Sequence, residues 1–180
     1  MKYCGMHDVE RTANLLGATS LALTDRFLRE ATRERGLSTS SAAALVTLHA
    51  DPGLSVSELG RRVGLSQPAA ARMVDALEAH GLVERRHGTA TQRRRRVHPT
   101  TQGHQLAHRV LDDRNDPLVH ALSHLEESDQ QVLAGLLEKI LRQVHAEVGQ
   151  GQRICRLCDR DRCLRSAPCP VGQAERGEGG

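Results

Sequence analysis

The fold is decided by residues 54–86, LSVSELGRRVGLSQPAAARMVDALEAHGLVERR. Ser55 and Glu58 form a capping box, because the hydroxyl can accept from the backbone N–H of Glu58 while the carboxylate reaches back. The short helix that follows is predicted to end at Gly64. Ser66 then caps a second helix, whose first turn tolerates a proline. Two short helices joined by a tight glycine-containing turn predict a helix-turn-helix unit.

The residues after this unit predict a β-hairpin with a basic tip. Residues 82–86 can form one strand, residues 87–92 a turn-rich tip, and residues 93–98 a returning strand. Six arginines (85, 86 and 93–96) lie within twelve residues. An arginine run alone is often a solvated strand face. Directly after a helix-turn-helix, the strands and the basic tip instead indicate the wing of a DNA-binding winged helix.

Composition restricts the fold class and the function. The chain has 180 residues, 38% of them hydrophobic and 1% aromatic, so its core must be built from aliphatic side chains. That composition suits helix packing. No apolar run reaches the roughly 20 residues of a membrane span, and the first residues contain no secretory h-region. We expect a cytoplasmic protein without membrane association. No nucleophile, phosphate-loop or metalloprotease motif is present, so we do not expect an enzyme.

Long helices with apolar stripes flank the predicted winged helix. Helices are expected over residues 9–35, from 41 to 49, from 101 onward with a perturbation at Asp116-Pro117, and after a second capping box at 128–131. Apolar stripes at both chain ends suggest a two-fold dimer interface. The predicted fold is mainly α with a small β-wing. Its segments are an N-terminal dimerisation helix (1–36), a winged helix-turn-helix (37–100), C-terminal dimerisation helices (101–149) and a cysteine tail (150–180) with a disordered end.

Residues 54–86 resemble the core of the MarR family, as do Val97-His-Pro-Thr100 and Gly103 at the predicted end of the wing. The resemblance extends over about residues 8–148. It implies a homodimeric winged-helix transcription regulator, often a repressor, whose DNA affinity responds to a small molecule, a metal or oxidation. The implied partner is double-stranded DNA with a pseudo-palindromic operator. Half-sites one helical turn apart, ~10 bp or slightly more, suit such a dimer.

The same resemblance assigns candidate DNA contacts. The start and exposed face of the recognition helix carry Ser66, Gln67, Pro68, Ala69 and Arg72, and the wing arginine corresponds to Arg93. The family usually has an aspartate two residues before that arginine, where this chain has Thr91. Which of Arg93, Arg94 and Arg95 enters the minor groove therefore stays open. In the major groove, Gln67 could pair with adenine, and Arg72 with guanine or a phosphate.

Four of the five cysteines lie within fifteen residues, in the pattern C-x2-C-x4-C-x5-C formed by Cys155, Cys158, Cys163 and Cys169. In a reducing compartment such spacing indicates metal ligands more often than disulfides. The surrounding arginines are expected to favour thiolates. Cys4, alone near the N-terminus, is expected to be a bystander.

The spacing leaves the metal open. Zinc takes a closed tetrahedral set of thiolates, but the loop lacks the glycines and aromatic residue of a zinc knuckle. Iron–sulfur clusters also take four thiolates, and the spacing is similar to the C-x2-C-x-C-x5-C site of MerR-type superoxide sensors. That similarity slightly favours iron–sulfur. The alternatives are a metal-free thiol switch or an inert tail, a small-molecule-responsive regulator with a structural zinc tail, or a tail that binds another protein.

Histidine pairs at helical spacing raise a further possibility of metal binding. His104 and His108 are four residues apart, as are His120 and His124. Such pairs can bind zinc. We expect most of them to lie in solvent or in packed interfaces.

Overall fold

The computed structural model describes residues 8–33, 36–86, 95–165 and 167–177. The described chain folds into nine helices and a two-stranded sheet: α1 Val9–Arg33, α2 Thr39–Ala50, α3 Val56–Val63, α4 Gln67–Ala79, β1 Val83–Arg86, β2 Arg96–Pro99, α5 Thr101–Leu122, α6 Glu127–Val148, α7 Gly151–Ile154, α8 Arg160–Leu164 and α9 Pro170–Gly177. The predicted class, mainly α with a small β-wing, is confirmed.

Helix α2 forms the centre of the core. Every residue from 42 to 48 is buried, and the alanines at its start allow α1, α3, α4 and α5 to approach closely. The core cluster is made of Leu, Val, Ala and one Met, with Phe27 packed at its edge. An aliphatic core of this kind agrees with the composition of the chain. Leu157, from the cysteine tail, belongs to the same cluster.

The wing is a two-stranded antiparallel sheet anchored at its base. Its register pairs residue 83 with 99 and residue 86 with 96, and Leu54 forms an isolated bridge to Val97. The Thr100 hydroxyl caps α5 by accepting from the Gly103 N–H at 3.1 Å and donates to the Gly81 carbonyl at 2.7 Å. The predicted tip, residues 87–92, and the start of the second strand at 93–94 lie outside the described residues.

The flanking helices expose the predicted apolar stripes. Large aliphatic side chains stand in solvent along α1 and α6, among them Leu15, Leu16, Leu21, Val132, Leu136, Leu137, Ile140, Leu141, Val144 and Val148. In α6 the buried residue is His145. The long helices are therefore amphipathic in the way the sequence predicts, with much of their apolar surface uncovered in the single chain.

Two local predictions are wrong. α6 begins at Glu127 after Glu126, so Ser128 lies inside the helix and does not cap it. The side chain of Gln130 instead donates to the carbonyls of Leu122 and Leu125, at 3.2 and 3.0 Å, and closes the preceding turn. α5 runs without interruption through the expected perturbation at Pro117.

The cysteine tail is more structured than the sequence suggests. It forms three short helices that fold back on the rest of the chain, with Leu157 and Val171 buried. Its end at 178–180, where disorder was predicted, lies outside the described residues, as does Cys4. Within the described ranges, none of the helices combines the length and apolarity that crossing a membrane requires.

Candidate functional site

Two glycines, Gly60 and Gly64, determine how α4 packs against α3. A Cβ on Gly60 would lie 2.7 Å from the Cβ of Ala70, so the absence of a side chain allows the two helices to touch. Gly64 ends α3 with a φ of +79°, a left-handed conformation that favours glycine. The next N–H, of Leu65, turns back to the Gly60 carbonyl at 2.8 Å. The capping box is confirmed on its Ser55 side, with the Glu58 N–H donating to the hydroxyl at 3.2 Å.

The two faces of α4 differ as the sequence predicts. Its core face buries four residues: Ala70, Met73, Val74 and Leu77. Of the predicted contact residues, Ser66, Gln67, Pro68 and Arg72 are exposed, and Ala69 is half-buried. Ser66 occupies the N-cap position, but its hydroxyl makes no capping hydrogen bond. The start of α4 thus presents Ser66 and Gln67 outward, and Arg72 follows in the second turn.

Most arginines around α4 are already paired with acidic side chains. The ion pairs are Arg61 with Glu58, Arg62 with Asp51 and Glu58, Arg85 with Asp75 and Glu78, and Arg86 with Glu84. Hydrogen bonds from Arg61 and then Arg62 lower the pKa of Glu58 to about 2. In the part of the chain that the structure describes, Arg72 forms no such pair. Arg85 and Arg86, two of the six clustered arginines, are therefore neutralised by neighbouring carboxylates. The charge of Arg72 on α4 is not neutralised in this way by any described residue.

Two of the wing arginines, Arg95 and Arg96, are among the residues that the structure describes. Arg93 and Arg94 lie outside the described residues. Arg95 is exposed at the start of the returning strand. Arg96 turns back, and its Nη1 donates to the Gly53 carbonyl at 3.0 Å. Arg96 therefore supports the wing base, which leaves Arg93, Arg94 and Arg95 as the candidate groove residues.

The four tail cysteines line one cleft. Cys155, Cys158, Cys163 and Cys169 are all free thiols. They come from the end of α7, the turn after it, α8 and the residue before α9. The cleft has a volume of about 370 Å³. Sequence spacing alone does not show that the fourth cysteine, which stands between two prolines, returns to the first three.

The protonation behaviour of the cysteines is uneven. A hydrogen bond from the Cys158 thiol lowers the pKa of Cys155 and raises the pKa of Cys158. Burial, and then the charge on Cys158, raise the pKa of Cys163 to about 11. The expectation that arginines favour thiolates is therefore not the main effect: the hydrogen bond with Cys158 lowers the pKa of Cys155, with only a small contribution from Arg160. At Cys158 and Cys163, neighbouring sulfur and burial outweigh the arginines.

Four free thiols are suitable ligands for a thiophilic metal. Their positions in this structure do not form a finished coordination site. In the described ranges, no group of three or more His, Cys, Asp or Glu side chains is already arranged to hold a metal ion. The four sulfur-bearing residues nevertheless face a common space of a suitable size. Binding would require the loops carrying them to close.

A histidine cluster that the sequence analysis missed lies on the other side of Cys158. His49 of α2 joins the predicted pair, with its Nδ1 2.9 Å from Nδ1 of His104 and its ring 4.3 Å from that of His108. Burial, and then the charges of His108 and His104, lower the pKa of His49. Because His49 lies 55 residues from His104 in sequence, no spacing rule could have linked them.

Comparison with known proteins finds similarity to one family and to one fold. The sequence model of the MarR family matches residues 37–94. The transcriptional repressor MprA of Escherichia coli K12 is 29% identical over 111 residues, which are 61% of this chain and 63% of the repressor. The match thus spans less than two thirds of that curated relative.

Solved structures share the fold over more of the chain. A MarR family protein from Bacillus stearothermophilus has a TM-score of 0.65 at 24% identity, covering 81% of this chain and 99% of its own. MepR, described as a transcription regulator of the Staphylococcus aureus multidrug efflux pump MepA, has a TM-score of 0.64 at 18% identity, covering 73% of this chain and 97% of its own. At these identities the likeness shows the fold alone.

Proposed function

We propose that the chain, whose residues 37–94 match the MarR family model, is a non-enzymatic regulator of transcription that binds double-stranded DNA as a homodimer. The observation that carries the proposal is the exposed face of α4, where Arg72 in the second turn has no acidic partner among the described residues although neighbouring arginines do. A cation presented in this way suits a guanine edge or a phosphate in the major groove.

The uncovered apolar surface supports the dimeric part of the proposal. α1 and α6 expose aliphatic side chains in rows, and contiguous exposed apolar surface marks interaction sites. A two-fold dimer would present two α4 helices to a pseudo-palindromic operator with half-sites ~10 bp apart or slightly more. The similarity to a named repressor favours repression as the outcome of binding.

Selection of bound duplexes from a random library would give an operator for the test. Fluorescence anisotropy on that duplex should show that Arg72→Ala weakens binding by roughly 5- to 150-fold, because one good base contact contributes about 1–3 kcal/mol. Arg29→Ala, at an exposed arginine of α1, is the matched control and should bind like the wild type. Equal affinity for both variants would show that α4 is not the reading helix.

The wing contribution is tested by separate alanine variants of Arg93, Arg94 and Arg95. The arginine that enters a narrow minor groove should lose affinity mainly for operators with A·T-rich flanks. If all three variants bind such operators like the wild type, the wing makes no groove contact.

The proposal extends to the cysteine tail, as a site for a thiol-ligated metal centre that reports redox or metal status. Its support is the set of four free cysteines around one cleft. Cys155, Cys158, Cys163 and Cys169 would be the ligands, of either an iron–sulfur cluster or zinc. When bound, a cluster would supply redox sensitivity, and zinc would supply structural closure.

Anaerobic purification with elemental analysis, sulfide assay and an absorption spectrum distinguishes the centres. A coloured protein with iron and sulfide supports the cluster, and a colourless protein with stoichiometric zinc supports the structural site. Cys163→Ser should lose the metal, whereas Cys4→Ser should retain it. A tail that binds neither metal would leave a thiol switch or a protein-binding role. If a small molecule still released the Cys163→Ser protein from DNA, a small-molecule effector would be indicated.

A further inference from the structure

The cysteine tail connects the long helix α6 with the helix-turn-helix. α7 contacts both α3 and α6, and α9 packs on α6. Within the described chain, α6 makes its largest contact with α9 and a smaller one with α7. A displacement of the tail would therefore change how α6 is held against the DNA-reading unit.

The contact with the helix-turn-helix falls on its turn. The Nη2 of Arg61, on α3, donates to the Oε1 of Gln152 at 3.1 Å. The guanidinium of Arg153 lies over Gly64, so closely that a Cβ there would be 2.8 Å from Nε. Because Gly64 ends α3 and begins the turn into α4, the tail touches the segment that orients the recognition helix.

A second contact fixes the cysteine loop itself. Leu157 lies between Cys155 and Cys158 in sequence, is 7% exposed, and belongs to the core cluster of the winged helix. Beside it, Cys158 and Asp159 help to line a cavity of about 310 Å³ against α2 and α5. Farther along, the Nη2 of Arg162 donates to Asp112 Oδ1 of α5 at 2.8 Å. The two cysteines of this loop, Cys155 and Cys158, thus flank an anchored side chain.

We propose that the cleft of the four cysteines is coupled to the helix-turn-helix through Leu157 and through the contact of Arg153 with Gly64. This inference rests on the proposed DNA-binding function. A thiophilic metal ion or an iron–sulfur cluster in the cleft makes α3 more rigid, and the rigidity of α3 in turn changes the affinity for DNA. The cysteine tail is then the transmitting part of the regulator as well as its metal site.

Amide hydrogen exchange of the full-length protein, with and without Zn²⁺ as the probe, tests the coupling. Zinc should slow exchange in α3 at least fivefold and change operator affinity at least tenfold in the wild type. Leu157→Ala should bind zinc with the same stoichiometry but lose both responses. Leu125→Ala is the matched control, since this leucine lies in the turn between α5 and α6, is 38% exposed and does not line the cysteine cleft, and it should respond like the wild type.

Several results would overturn the inference. Zinc binding without any change in α3 exchange would do so, as would an undiminished response in Leu157→Ala. If Leu157→Ala does not fold, Arg153→Ala replaces it, because this exposed side chain reaches the turn without entering the core. Arg153→Ala should then bind zinc and show a smaller α3 response than the wild type, and an equal response would overturn the coupling.

Failure of the proposed function would be seen separately. If the wild type binds no zinc and no iron, the metal part of that function is wrong, and the coupling is judged without metal. Arg153→Ala must then raise the amide exchange rate in α3 at least threefold more than in α5. An equal rise in both helices would overturn the coupling. If no duplex is selected, DNA binding is wrong, while the exchange experiment still decides the coupling.

Discussion

Replacing Gly103 by alanine should separate the wing from α5. A Cβ on Gly103 would lie 2.0 Å from the backbone oxygen of Leu82, well inside the 3.0 Å that real contacts respect. That oxygen must move by about 1 Å, although it accepts from the Thr100 N–H at 3.1 Å and the Thr100 hydroxyl at 3.3 Å. Losing those two bonds costs about 0.5–1.5 kcal/mol each, and the strain of overpacking adds about 1–3 kcal/mol. The gain in helix propensity returns about 1 kcal/mol. We expect a net destabilisation of about 3 kcal/mol.

Urea unfolding followed by circular dichroism would measure this effect, at one protein concentration because stability depends on assembly. Gly135→Ala is the matched control, since this helical glycine of α6 has no atom within 4 Å of an added Cβ. It should be neutral or gain up to about 1 kcal/mol. The reasoning is refuted if Gly103→Ala unfolds at the same urea concentration as the wild type or at a higher one.

Three further results are expected. The pKa of Glu58 is lowered from 4.5 to about 2, so its ion pairs stabilise the protein fully above pH 4.5 and are lost as the pH falls toward 2. In urea unfolding, Glu58→Gln should therefore be less stable than the wild type at pH 6 and equally stable at pH 2. Leu136→Glu should give monomers in sedimentation at micromolar concentration, whereas Gln131→Glu, on the polar face of α6, should leave dimers. Gly149→Ala should cost about 1 kcal/mol in urea unfolding, the left-handed penalty alone, and Gly64→Ala should cost more because a neighbouring side chain must also move.

The helix-turn-helix could be predicted because its signals are local. The capping serine at 55, the left-handed glycine at 64 and the apolar spacing of α4 act within a few residues, and each appears where the sequence places it. The capping box at Ser128 was wrong for a related reason. Several polar residues there can close the turn, and Gln130 reaches the carbonyls of the preceding helix instead.

The remainder depends on contacts that are distant in sequence. A count of arginines cannot show that Arg85 is held by Asp75 and Glu78, because their pairing follows from how β1 passes α4. The place of His49 beside the α5 histidines likewise depends on helix packing. Leu157 gave no periodic signal in a segment rich in Gly, Arg, Pro and Cys, so its burial in the core could not be predicted.

Under the proposed function, the position of the tail would allow a small change at four cysteines to have a large effect on DNA binding. A homodimer engages two half-sites at once, and the second contact gains from an effective concentration that is high only when the spacing of the reading helices matches the operator. α6 presents apolar residues for a partner and also carries the tail that touches the turn at Gly64. A shift of the tail would therefore tilt α3 and α4 relative to the dimer axis in both protomers. If the chain binds its operator as the proposed homodimer, both half-sites would lose registry together and the two losses would multiply, so a displacement that weakens each contact modestly would be enough to release the operator.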